Sequence, residues 1–144
     1  MIAFPPLARY RLYSSFSSYS TLLLDIVRGK LAAADKVAAL ESAACQVFGS
    51  ENALATNQAR VGVYLAVKSL VRPGRDEIVM SPYTIFDVVN MVICAGGRPV
   101  FADTEQSTCN IDPAEVEKLV TERTAAVLVT HLHGLASDVE RIAS

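Results

Sequence analysis

The chain has 144 residues, of which 51% are hydrophobic and 19% charged, and a net charge of −2 at pH 7. That balance calls for a buried core and excludes disorder, while Lys and Arg scattered singly exclude an electrostatic footprint for nucleic acid or an anionic membrane. Cys45, Cys94 and Cys109 are odd in number and widely spaced, so neither a disulfide framework nor a cysteine zinc site is expected, which fits a reducing, cytoplasmic setting.

The N-terminal stretch from Arg9 to Thr21 reads RYRLYSSFSSYST, rich in Ser and Tyr, with no acid before Asp25. Residues 1–34 are therefore read as an arm or leader, ahead of a domain that begins at residue 35. Asp35 can cap a helix over 36–48 whose residues Val37, Leu40, Ala44, Val47 and Phe48 keep to one face before Gly49 stops it. A second helix is predicted over 58–71, halted by Arg72-Pro73-Gly74. EIVMS, residues 77–81, is a short apolar run closed by Pro82 and reads as a buried strand. Residues 85–95 run eleven positions into Gly96-Gly97, a length that favours a helix. PVFAD, 99–103, is the next strand. Asp112-Pro113-Ala114-Glu115 joins a capping side chain, proline at the first helical position and an acid in the first turn, which predicts a helix over 113–121. AAVLVTHL, 125–132, is strand-like throughout, and Ser137-x-x-Glu140 is a capping box for a last helix.

Strands alternating with helices, each strand apolar on both sides, predict an α/β fold: a three-layer α/β/α arrangement around a mostly parallel sheet. Ligands of such sheets bind at the carboxyl ends of strands, so the residues of interest are 56–60, 81–86, 103–105 and 131–135. No G-x-G-x-x-G follows a predicted strand, which weakens a nicotinamide-binding reading. His131 and His133 alternate as on a strand, but with Asp138 they make too small a ligand set, and no metal site is expected. Asp103 and Glu105 follow a strand without support for paired acid–base catalysis.

Several short segments together carry a family resemblance. Pro73 to Pro82 resembles P-G-D-E-V-I-x-x-P with Arg75 inserted, Gly97 to Asp103 resembles A-x-P-V-F-x-D, and His131-Leu132-His133-Gly134 resembles H-L-Y-G. Asn110-Ile111-Asp112-Pro113 resembles the start of the following helix. In this order they are similar to the N-terminal half of the large domain of the DegT/DnrJ/StrS sugar aminotransferases, over about Val37 to Val139. The resemblance implies the aspartate-aminotransferase fold (fold type I), pyridoxal 5′-phosphate as cofactor, a nucleotide-linked keto sugar as substrate, glutamate as amino donor, and a homodimer. It extends to relatives that use pyridoxamine phosphate for dehydration.

Carried over residue by residue, the family's phosphate-binding S-G-T falls on Gln58-Ala59-Arg60, and none of the three matches. The backbone amides of a helix start would remain, with Arg60 either adding a charged contact to a phosphate or pointing to solvent while Thr56 or Asn57 caps the helix. Ile85 takes the position of a ring stacked on the cofactor, with Phe86 or Tyr83 as the alternative if the turn shifts by a residue. His131 is placed near the cleft, and His133 at a tyrosine position. Asp103 becomes a structural cap. The lysine that bonds the cofactor and the acid on its pyridine nitrogen are expected beyond Ser144, and Lys30, Lys36, Lys68 and Lys118 match no catalytic position. No catalytic residue is therefore assigned. The chain is read as a truncated product, fragment or degenerate copy that does not transaminate alone, against the alternative of a non-catalytic α/β module that binds a partner or a phosphorylated ligand.

Overall fold

A computed structural model describes residues 15–30 and 34–144. The chain divides into two units, Met1–Ala55 and Thr56–Ser144. In the first, the described residues form α1 (Phe16–Val27) and α2 (Ala34–Phe48). Ser15 caps α1, its Oγ accepting the Ser18 amide at 3.2 Å, so part of the Ser-rich stretch read as an arm is helical. Its serines suit the first turn, where short polar side chains satisfy open amides, and Leu22 to Leu24 then sustain the helix. α1 buries none of its residues within the structure. After α2 the chain turns back, and the Glu41 carboxylate accepts the Ala55 amide at 2.9 Å. The calls on residues 1–14 lie outside the described residues.

The second unit holds α3 (Ala59–Leu70), β1 (Glu77–Met80), α4 (Phe86–Cys94), β2 (Arg98–Phe101), α5 (Pro113–Leu119), β3 (Thr124–Leu128) and α6 (Val139–Ala143). The three strands form one parallel sheet in the order β2-β1-β3. Four residues of central β1, EIVM, are all buried, as befits a strand covered on both faces. Alternation along it separates two cores. Ile78 and Met80 pack with Val67 of α3 and Val92 of α4, whereas Val79 packs with Val116 of α5 and, at the edge, Ile142 of α6. The expected three-layer α/β/α architecture is thus present.

Chain direction explains which helix covers which face. The step from β1 to β2 crosses the sheet one way, and the step from β2 to β3 returns across β1 the other way. Crossovers of a single hand must then lie on opposite faces, where α4 and α5 are found. Gly97 permits the tight return into β2, because a Cβ there would lie 3.0 Å from Ile78 Cγ1 and 3.1 Å from both Val92 Cγ1 and the Val92 carbonyl oxygen.

Element ends follow local chemistry. Asp112 Oδ1 accepts the Ala114 amide at 2.8 Å, with Pro113 opening α5 as expected. The last helix is capped by Asp138, whose Oδ1 accepts the Arg141 amide at 3.0 Å, rather than by Ser137. Ser137 is buried and spent elsewhere: its hydroxyl donates to the Thr130 carbonyl and its amide to His131 Nδ1. β3 stops at Leu128, four residues short of the expected 132, because its partner β1 ends at Met80 and leaves nothing to pair with.

Candidate functional site

At the amino ends of the strands, buried Glu77 accepts from Arg98 and from Thr121 Oγ1 at 3.2 Å, and forms an ion pair with Arg123 Nε across 3.4 Å. The side-chain hydrogen bond from Arg123 holds the Asp76 carboxyl below its usual range, and Asp76 in turn raises Arg123. These ties join the three strand starts and read as structural, since every member is satisfied.

The carboxyl ends differ. β1 and β3 are neighbours, yet the chain leaves β1 toward α4 on one face and leaves β3 toward α6 on the other. Such a divergence opens a crevice at the strand ends, the usual ligand position of a parallel α/β sheet. The loops that flank it carry Ser81 to Ile85 and Val129 to Leu135. Ser81 Oγ accepts the Tyr83 amide at 3.0 Å, which turns the chain out of β1. Across the crevice the Tyr83 and His133 rings lie 5.9 Å apart and tilted by 47°.

The second loop is held from below by Asn110, which is 1% exposed. Its Oδ1 accepts the Leu132 amide at 2.9 Å and its Nδ2 donates to the Leu135 carbonyl at 3.1 Å, so one side chain closes both ends of the turn. Between them, His133 and Gly134 adopt φ values of 54° and 78°. The left-handed conformation costs a histidine on the order of 1 kcal/mol, which the two Asn110 bonds offset. His131 and His133 therefore sit in a turn and do not alternate on a strand. His131 is exposed, and its Nδ1 takes the Ser137 amide at 3.0 Å, which in the neutral ring puts the proton on Nε2.

At the start of α3, Gln58 is the residue before the first turn, in extended conformation, and its side chain makes no capping bond. Neither Thr56 nor Asn57 caps the helix: the Thr56 hydroxyl donates to the Gln58 carbonyl at 3.0 Å instead of accepting an amide. The Ala59 and Arg60 amides have no partner among the described residues. No acid lies in the first turn of α3, so the helix dipole and two open donors face outward uncancelled. Arg60 does not simply point to solvent. Its Nη1 donates to Asp87 Oδ2 at 2.5 Å, joining the first turn of α3 to the first turn of α4.

That contact brings two expected site segments together, because Ile85 and Phe86 open α4 immediately before Asp87. Both present their apolar side chains, with Ile85 71% and Phe86 75% exposed. The geometry fits a phosphorylated aromatic cofactor on two counts: open amides for a phosphate, and an uncovered apolar segment for a ring. Among the described residues, His131 is tied to Ser137 and not to this pair of turns. Asp87 and Asn110 are the site residues that sequence reasoning missed. Asp87 carried one signal, an acid in the first turn of a predicted helix, whereas the reach of Asn110 to residues 132 and 135 had none.

The chain is similar to known proteins over most of its length. Residues 22–144 match the profile of the DegT/DnrJ/EryC1/StrS aminotransferase family. Over 115 residues the chain is 37% identical to the spore coat polysaccharide biosynthesis protein SpsC of Bacillus subtilis, covering 79% of this chain and 29% of SpsC. Among solved structures it resembles Helicobacter pylori PseC, an aminotransferase involved in the biosynthesis of pseudoaminic acid, with 30% identity and a TM-score of 0.68 over 74% of this chain and 29% of that one. It also resembles DesI, solved in the presence of its TDP-sugar product, with 28% identity and a TM-score of 0.72 over 87% of this chain and 32% of DesI. The chain thus spans under a third of the length of each of these relatives. With the family profile matching from α1 to the last residue and the fold matching solved aminotransferases, the chain belongs to the DegT/DnrJ/EryC1/StrS aminotransferase family.

Proposed function

We propose that these residues supply the phosphate turn and one ring-facing segment of a pyridoxal-phosphate aminotransferase that acts on nucleotide-linked keto sugars, with glutamate as amino donor. The observation that carries this is the pair of open amides at Ala59 and Arg60, beside Ile85 and Phe86 at the start of α4. The sugar follows from the relatives: SpsC is named for polysaccharide biosynthesis, PseC for pseudoaminic acid and DesI for its TDP-sugar product. In this reading residues 35–144 form part of the large domain of a cytoplasmic homodimer.

When bound, the cofactor supplies an electron-withdrawing ring that stabilises charge developing on the substrate. The chain's own part is to hold and orient it. Gln58, Ala59 and Arg60 present amides and a cation to the phosphate, Ile85 or Phe86 shields a ring face from water, and His131 lines the outer crevice.

A second reading, a non-catalytic module that binds a phosphorylated ligand, has its own support. Neither lysine of the second unit lies at these turns: Lys118 pairs with Glu115, and Lys68 is exposed late in α3. Titration of the 144-residue chain with pyridoxal phosphate, alongside an amino-transfer assay with glutamate and a TDP-linked keto sugar, tests both readings. Saturable binding that requires the phosphate, without turnover, is expected. Turnover by these residues alone would contradict the lysine argument, and binding indifferent to the phosphate would contradict the cofactor assignment.

A further inference from the structure

Arg60 and Asp87 are separated by 27 positions in sequence and meet by one hydrogen-bonded ion pair, their side chains 45% and 44% exposed. Each occupies the second position of its own helix, and both helices start at the carboxyl edge of the sheet. Asp87 is favoured there by the dipole of α4, whereas Arg60 is placed against the dipole of α3. A cation at that position is locally unfavourable and brings no apolar burial, so its partner is the natural account of its placement.

The pair also sets the charge beside the open Ala59 and Arg60 amides. An unpaired carboxylate one side chain away from a bound phosphate would repel it well inside the screening length of about 8 Å. We propose that Arg60 neutralises Asp87 at the phosphate turn, and that Asp87 acts as a positioning residue that tunes how tightly this turn holds a phosphate monoester. This rests on the reading of the α3 start as the phosphate turn. The guanidinium has five donors, so it can keep one on Asp87 and turn others to the anion. The two residues therefore work as a unit, in place of the hydroxyl side chain that the family motif supplies.

Pyridoxine 5′-phosphate and pyridoxine, which lack the aldehyde that would react with lysines, are compared by equilibrium dialysis. Asp87→Asn tightens binding of the phosphorylated probe by about three- to tenfold, because repulsion is removed and Arg60 is freed. Arg60→Ala weakens it by a similar factor, because Asp87 is left uncompensated. The double variant returns to within about threefold of the parent chain, and Asp87→Glu, which keeps the charge, stays near it. Unphosphorylated pyridoxine does not respond to any of these changes. Both side chains are half exposed, so circular dichroism should report the same fold throughout. If Arg60→Ala costs the same factor with and without Asp87→Asn, or if Asp87→Asn weakens binding, the pairing proposal is overturned while the phosphate turn stands. If neither the parent chain nor Asp87→Asn distinguishes the two probes, the phosphate-turn reading and this proposal fail together.

Discussion

Replacing Ile78 by alanine should cost about 3–4 kcal/mol of folding stability, measured by urea denaturation. Ile78 is fully buried in the central strand and packs with Val67 of α3, Val92 of α4 and Ala95 just after it. Its removal takes away the transfer energy of three carbons and leaves a cavity between two helices and the sheet, which cannot close without moving all three. The Cγ1 of Ile78 also lies against the position a Gly97 side chain would need, so the sheet and the return from α4 are closely packed here. Ile93 is the matched control: it is 54% exposed on α4, and its alanine variant should cost less than about 1 kcal/mol. Equal losses at the two positions would mean that α4 is not docked through the face described.

Asn110→Ala should cost about 2 kcal/mol and act locally. Asn110 contributes little apolar burial, so its effect comes from two backbone groups that lose their partner at once, the Leu132 amide and the Leu135 carbonyl. Hydrogen exchange at the Leu132 amide should accelerate by more than tenfold, while β1 amides at the sheet centre change only by the global loss of stability. The positive φ of His133 would then be held only by the Leu135-to-Leu132 backbone bond, and the contact between Tyr83 and His133 across the crevice should loosen with it. Unchanged exchange at Leu132 would show that the turn is closed by its own Leu135-to-Leu132 backbone bond rather than by Asn110.

Elements whose cause is local were legible in the sequence. Asp112-Pro113 contains its whole explanation within one turn, and the structure shows that cap and start. The order of strands and helices was legible for the same reason: each strand is a short apolar run, and each helix an amphipathic one. Boundaries set by a partner were not. The composition of residues 125–132 is strand-like to its end, but a strand stops where its neighbour stops, and β1 ends at Met80. Ser137 was the expected cap of the last helix, and Asp138 takes that place because the distant Thr130 carbonyl takes the Ser137 hydroxyl. The helix over Phe16–Val27 was missed because its serines were weighed as composition, although Ser15 and Ser18 are a cap and a first turn.

The site divides the same way. The position of the turn at Gln58, Ala59 and Arg60 follows from the spacing of the flanking motifs, and the open amides follow from any helix start without a side-chain cap. What Arg60 does was not legible, because Asp87 lies 27 residues away and on another helix. Under the proposed function, this turn exchanges a hydroxyl contact for a cation, and the cation is the one that pairs with Asp87 on the next helix.

Backbone amide shifts during titration with pyridoxine 5′-phosphate report the position of the phosphate and do not depend on turnover. The largest shifts are expected on the Ala59 and Arg60 amides, with smaller ones at Ile85 to Asp87, and pyridoxine alone should produce none at Ala59 and Arg60. Shifts centred elsewhere, or identical with and without the phosphate, would contradict the phosphate-turn reading.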